Sequence, residues 1–329
     1  MQHQNFRLLD REVVERFIEA RRGWDGAPER LKLAWSNWGF GTEDLRASAD
    51  RLQRNGIRWI ELHGNLYGPD LGYRAPDVLA ALGDHDIQVG GVCGMVMPEQ
   101  ELASSSPAVR QRFVDYLRRQ IEFTVAVGGR YILFGAAAVG RPVAYDDAEV
   151  DRAAETLRIV AQDFADAGVR AAVEPIRVDE TSIVHSCAEA AEFLDLVGHP
   201  GVQHIAGDVY HMLSSDGHVG KALLDYAPRM ANLHLADSNR RALGTGQLDI
   251  DVVIMALYAT GFHVGEQFCT AEPLGGGANP YDAMHGRPDV PVLDRLVQQT
   301  ADTWRAREAA VLAASDEELL AVVGGTVAA

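Results

Sequence analysis

Five side chains able to grip a cation or move a proton recur along the second half of this chain: Glu174, Asp208, His211, His234 and Glu272. Each stands at, or just beyond, the end of a short apolar run, where a strand would pass into a loop. Glu174, Asp208, His234 and Glu272 follow one another at intervals of roughly one strand-plus-helix repeat. A single such residue is more often an independent surface group. Four in register at consecutive strand ends describe a divalent-metal pocket. Three carboxylates and one imidazole, with no thiolate, suit Mn²⁺, Co²⁺ or Mg²⁺ better than structural zinc.

Such a pocket needs a scaffold that brings strand ends together. Short β-prone runs occur at 31–36, 57–63, 87–94, 130–135, 169–176, 202–208, 230–236 and 262–268, with amphipathic stretches between them. In 106–127, Val109, Phe113, Leu117, Ile121 and Val125 recur every four residues; in 147–167, Val150, Ala154, Leu157, Val160 and Phe164 do similar work. Gly56, Gly128, Gly168 and Gly261 fall just before proposed strands, where a helix would end. Eight strands alternating with helices imply parallel βαβ units. Their number and the chain length favour a closed (β/α)8 TIM barrel over an open sheet. The first strand runs into SNWGFGTED rather than a GxGxxG turn, which also argues against an open dinucleotide fold. The expected organisation is an N-terminal helical extension over 1–30, a catalytic barrel over 31–314 and a C-terminal tail over 315–329. The two ends are read as partner-docking segments or, equally, as disordered tails.

Bulk properties narrow the function classes. The chain has 329 residues, 47% of them hydrophobic, so it can bury a large core. A formal net charge of −17 repels nucleic acid and anionic lipid. Cys93, Cys187 and Cys269 are widely spaced and form no CxxC, which excludes a disulfide framework or thiolate zinc site. The segment MQHQNFRLLDREVVERF lacks the long apolar stretch of a signal peptide, and no window has the ~18 apolar residues of a membrane span. A cytoplasmic location is therefore expected.

The segments VEPIRVDE (173–180), GDVYHM (207–212), NLHLADSNR (232–240) and TAEP (270–273) give the chain a family likeness. They resemble those of the xylose-isomerase-like barrels and, among these, the ketose 3-epimerases of the D-tagatose/D-psicose type. The segment 97–129 shares that look, and the resemblance spans about residues 31–310. It implies that Glu174, Asp208, His234 and Glu272 are metal ligands. It also implies that Glu174 and Glu272 are the acid/base pair on opposite faces of the sugar, and that Glu180, His211 and Arg240 hold the ketose.

The chemistry explains these residue types. Taking a proton from carbon next to a carbonyl creates an enolate, which is costly in water. A divalent cation spreads that charge, one carboxylate removes the proton, and a second returns one from the opposite side. The expected activity is therefore a metal-dependent epimerase or isomerase, with Mn²⁺ favoured, acting on an unphosphorylated keto-sugar. No basic cluster for a phosphate accompanies the motifs beyond Arg240 and Arg241. A rival shares the first step: the enolate expels a group at the β-carbon, as in the barrel subunit of C-glycoside deglycosidases. Those relatives cleave 3-keto-glycosides beside a small partner subunit. The chain is accordingly expected to form a homo-oligomer or such a complex. A metal endonuclease of the same barrel type would need extra ligands and a basic face, which the charge opposes.

Other residues weigh less. Trp35 and Trp38 follow the first strand and could stack on a sugar or pack the rim. His63 ends the second strand, where a hydrogen-bonded core histidine is the commoner case. His185 reads as a surface histidine, and Cys93 as a buried filler. The long Gly/Pro loop 274–291, with its GGG at 275–277, reads as a lid rather than a phosphate cradle, because no P-loop Lys follows.

Overall fold

The computed structural model describes residues 5–64, 73–94, 96–274 and 289–323. Eight parallel strands close on themselves in sequence order. They are β1 (Leu33–Ser36), β2 (Trp59–His63), β3 (Gln88–Cys93), β4 (Tyr131–Gly135), β5 (Arg170–Glu174), β6 (Val202–Asp208), β7 (Met230–Leu235) and β8 (Phe268–Ala271). Around them lie α1 (Asn5–Arg21), α2 (Leu45–Arg54), α3 (Ala75–Gly83), α4 (Pro107–Ala126), α5 (Glu149–Ala167), α6 (Cys187–Val197), α7 (Val209–Ser215), α8 (Val219–Tyr226), α9 (Ile250–Ala259), α10 (Val290–Ala313) and α11 (Asp316–Val323). The expected TIM barrel is the observed fold.

Strand period 2 sorts the side chains. Leu62, Ile132, Val173 and Leu233 point outward into the helix layer, while Ala34, Tyr131, Leu133, Ala172, Ala206 and Phe268 fill the barrel interior. The interior is partly polar: Glu61, Asn232 and Thr270 are fully buried there. Gly91 makes room for Tyr131, since a Cβ at this position would lie 2.4 Å from the Tyr131 ring.

Two expectations need correction. The eighth strand is not 262–268 but 268–271. The apolar alternation of Phe262 and Val264 is a helix ending: the Phe262 N–H donates back to Leu257 O at 3.0 Å, and Gly261 adopts φ 76°. Phe262 is buried while Val264 is 69% exposed. The helix stripes also drift. Residues spaced by four advance ~40° beyond a full turn at each step, so Phe113, Leu117 and Ile121 of α4 are buried but Val125 is exposed. Val150 of α5 leaves its buried stripe likewise.

Both chain ends are ordered where described. Val13, Val14 and Phe17 of α1 are fully buried, and α1 packs on α9 and α11. Arg21 ties the two ends together by donating to Ala314 O and pairing with Asp316. The described parts of both ends are therefore docked helices rather than disordered tails. No described helix is long and apolar enough to cross a membrane.

Candidate metal and proton-transfer centre

The C-terminal strand ends meet on one face of the barrel. Glu174 ends β5, Asp208 ends β6, His234 lies one residue from the end of β7, and Glu272 directly follows β8. All four are buried. Ligand atoms of Glu174, Asp208 and His234 fall within 4.8 Å of one another. Glu272 joins through His234, whose Nδ1 lies 3.2 Å from Glu272 Oε2 and 3.6 Å from Glu174 Oε1. Neither approach is a well-aligned hydrogen bond.

Neighbouring groups aim these carboxylates. Asp208 Oδ1 accepts the Tyr210 N–H at 2.8 Å, capping α7. Ser36 Oγ donates to Glu272 Oε1 at 3.2 Å. Burial, opposed by His234, leaves Glu174 pushed up to about 7. Burial likewise lifts Asp208 to about 6 despite His234 and Arg240. Burial also raises Glu272, but His234, Arg240 and Ser36 outweigh it and hold that group below its ordinary value. For His234, burial opposes the charged ring, yet Glu272, Glu61 and Glu174 drive its pKa well up. The cluster is thus short of positive charge. A buried imidazole nitrogen facing two carboxylates, within an all-oxygen-and-nitrogen donor set, fits a divalent cation.

Above the cluster, His211 Nε2 lies 3.5 Å from Asp208 Oδ2, and its buried Nδ1 has no hydrogen-bond partner among the described residues. Burial, then Arg240 and Arg177, keeps the His211 ring neutral. Glu180 Oε1 lies 3.2 Å from Arg177 Nε and 3.6 Å from Arg240 Nη1. Arg240 is a non-glycine residue at φ 56°. The loop that bears it is held by Asp237, whose carboxylate accepts N–H bonds from Ser238, Gly244, Thr245 and Leu248 at 2.7–3.1 Å. A left-handed residue held by so many bonds is the kind of local strain that clusters at functional sites.

One cleft is lined by Glu174, Glu180, His211, Arg240 and Glu272 together with Trp38, Cys93, Val96, Val139, Ile176 and Leu274. Trp35 is elsewhere: strand parity turns it outward, where it stacks on Phe40 with ring centres 5.8 Å apart. His63 packs its ring 4.2 Å from that of Trp38 and does not line the cleft. His185 bonds Ile176 O through Nδ1 at 2.9 Å. Burial, then Glu61 and Glu272, raises the Cys93 thiol well above its usual range, which makes it an inert filler. The GGG run and most of the proposed lid, 275–288, lie outside the described residues.

Sequence reasoning missed Glu61. It lies two residues before His63 on β2, so it shares the inward face, and its Oε1 sits 2.9 Å from His234 Nε2. Ser36, Arg177, Tyr210 and Asp237 were missed as well, although the last three lie inside the motif segments 173–180, 207–212 and 232–240.

A family model described as a xylose isomerase-like TIM barrel matches residues 49–280. The chain is 24% identical over 239 residues to a ketose 3-epimerase of Arthrobacter globiformis, covering 70% of this chain and 78% of that protein. It is 23% identical over 241 residues to the 3-dehydro-D-guloside 4-epimerase of Escherichia coli strain K12, covering 70% and 89%. A solved L-ribulose 3-epimerase superposes with a TM-score of 0.74 at 20% identity, over 86% of this chain and 96% of that one. Matched over most of its barrel, the chain belongs to the xylose isomerase-like TIM barrel family.

Proposed function

We propose that this protein is a divalent-metal-dependent sugar epimerase that inverts a carbon next to the carbonyl of a keto-sugar. The observation that carries this reading is the convergence of Glu174, Asp208, His234 and Glu272 beneath a cleft that also holds Glu180, His211 and Arg240. The relatives' names support it: they act on ketoses and on a keto-glycoside.

In this reading Glu174, Asp208, His234 and Glu272 hold the cation, with Mn²⁺ favoured over Co²⁺ or Mg²⁺. When bound, it supplies Lewis-acid stabilisation of negative charge on the sugar oxygens. The proton transfers belong to the chain. One of Glu174 and Glu272 takes the proton from the carbon beside the carbonyl. The C–H electron pair forms a C=C bond, and the carbonyl oxygen takes the charge. The other, in its protonated carboxylic acid form, delivers its proton to the opposite face and is left as the carboxylate, and the carbonyl re-forms with that carbon inverted. Glu180, His211 and Arg240 grip the sugar hydroxyls, with Trp38 closing one side. Burial excludes water, which protects the enediolate from stray protonation.

The relative that acts on a 3-dehydro-guloside keeps a second reading in view. That relative is itself named an epimerase and supports only the choice of a keto-glycoside. In the second reading the same enolisation on such a substrate is followed by loss of the group at the β-carbon, as in the barrel subunit of a C-glycoside deglycosidase, with a small partner subunit. Purified protein with Mn²⁺ should be incubated separately with D-fructose, D-tagatose and a 3-keto-glycoside, and the products separated by chromatography. Ketose interconversion or inversion of the intact keto-glycoside supports epimerisation. Aglycone release supports the lyase, and no turnover of any of the three rejects both.

A further inference from the structure

We infer that Glu61, which lies behind His234 and away from the cleft, decides which imidazole nitrogen is presented to the cation and so sets the metal affinity of the site. This rests on the metal reading above, though not on any choice of substrate.

Glu61 is fully buried. Its Oε2 accepts from the Tyr131 hydroxyl at 2.7 Å and from the Asn232 amide nitrogen at 3.2 Å. His234 Nε2 lies 2.9 Å from Oε1 and 3.2 Å from Oε2. The Asn232 amide cannot be turned round without loss, because Thr270 Oγ1 donates to its Oδ1 at 2.6 Å. A reversed amide would set its oxygen against the carboxylate. Tyr131 reaches across the barrel only because Gly91 has no side chain. The two neighbours with fixed roles, Tyr131 and Asn232, both donate to Glu61, and the role left to its carboxylate toward His234 is that of an acceptor.

An acceptor at Nε2 requires a proton on Nε2. The lone pair available for a cation is then on Nδ1, which faces Glu174 and Glu272. Glu61 and Glu272 also form a possible ligand triad with His234. Yet Glu61 sits on the Nε2 side of the ring with its oxygens already occupied, so it belongs behind the ligand rather than among the ligands. A carboxylate in that position fixes the ring's orientation and tautomer and strengthens it as a donor. Glu61 is thus a positioning residue.

Isothermal titration of the metal-free protein with Mn²⁺ alone tests this. Glu61→Gln keeps the shape, but its amide can offer oxygen to only one of its two sets of donors. We expect it to bind Mn²⁺ about 10- to 100-fold more weakly than wild type. The metal-free variant should still melt in one cooperative transition, at a somewhat lower temperature because one set of buried donors loses its acceptor. Tyr131→Phe, which leaves the His234 contact in place, should lose less than about 10-fold. A second measurement needs no variant: ¹⁵N NMR of the histidine rings in wild type loaded with diamagnetic Mg²⁺ should show His234 protonated at Nε2, and it decides the matter if Glu61→Gln does not fold. Glu61→Gln binding Mn²⁺ as tightly as wild type, or an unprotonated Nε2, overturns this inference alone. Wild type taking up neither Mn²⁺ nor Mg²⁺ overturns the metal reading, and this inference with it.

Discussion

The guanidinium carbon of Arg240 lies 4.6 Å from the centre of the Tyr210 ring. Arg177 reaches the same residue, donating from Nη1 to the Tyr210 hydroxyl at 2.6 Å. One aromatic ring thus sets two cations around Glu180. A contact of this kind contributes ~1–2 kcal/mol when partly desolvated. Tyr210→Leu should therefore raise KM about 5- to 20-fold while changing kcat less, because in the proposed function the residue holds the binding groups and not the proton-transfer pair. Tyr210→Phe, which loses only the hydroxyl bond, should fall between. Steady-state kinetics on the sugar that turns over checks this; an unchanged KM in the leucine variant refutes it.

Asp237 should matter to the same loop. Its carboxylate accepts four backbone N–H bonds, and an asparagine offers only one oxygen. Asp237→Asn is predicted to lose about 2 kcal/mol of stability. Amide exchange at Gly244, Thr245 and Leu248 should quicken, and KM should rise. Hydrogen exchange followed by mass spectrometry reads the loop directly. Unaltered exchange across 238–248 would show that the loop is held by something else.

His204, near the start of β6, should make a contribution to stability that is lost in mild acid. Burial, then the charges of Arg170 and Arg229, pulls its pKa from 6.5 down to about 4. Between those values the unfolded chain binds a proton at this ring that the folded chain does not. Stability therefore rises with pH across that window. The contribution is complete above pH 6.5 and lost as pH falls through about 4. His204→Gln should remove ~2 kcal/mol of this dependence, after allowance for partial solvent screening. Urea melts above and below the window measure it, and an equal acid loss in both proteins would contradict the assignment.

The shortage of positive charge around His234 predicts that metal stabilises the fold. Mn²⁺ at ~100 times its Kd contributes about 2.7 kcal/mol, or roughly 5 °C in Tm for a domain of this size. A chelator should reverse the shift, and His234→Ala should abolish it. Thermal melts with and without Mn²⁺ test this, and a shift that survives in His234→Ala places the ion elsewhere.

Much of this was legible in the residues themselves. The four clustered groups are strong polar side chains at the ends of apolar runs, so their strand-end positions could be read directly. The barrel followed from the count and alternation of those runs. What failed had a local physical cause. Phe262 and Val264 alternate like a strand, but Phe262 completes the helix ending at Gly261 by bonding back to Leu257, so the glycine marks a turn that takes in both residues rather than the start of a strand. Trp35 and Trp38 look equivalent in sequence, yet strand parity sends the first outward and the turn after β1 sends the second to the cleft. Glu61 was hidden because nothing local distinguishes it from an ordinary strand glutamate. Its meaning comes from His234, brought beside it only when the barrel closes.

The proposed function rests on enolisation beside a sugar carbonyl, carried out by Glu174 and Glu272. It is tested most directly by proton NMR in D₂O, with Mn²⁺-loaded protein acting on each candidate keto-sugar and the metal removed before the spectrum is taken. Wild type should replace the proton on the carbon next to the carbonyl with deuterium; for a given epimer one of Glu174→Gln and Glu272→Gln should lose that exchange, and neither variant should form the inverted sugar, while both keep the wild-type fold. Turnover without deuterium at that carbon, or full exchange of one epimer in both glutamine variants, would contradict it.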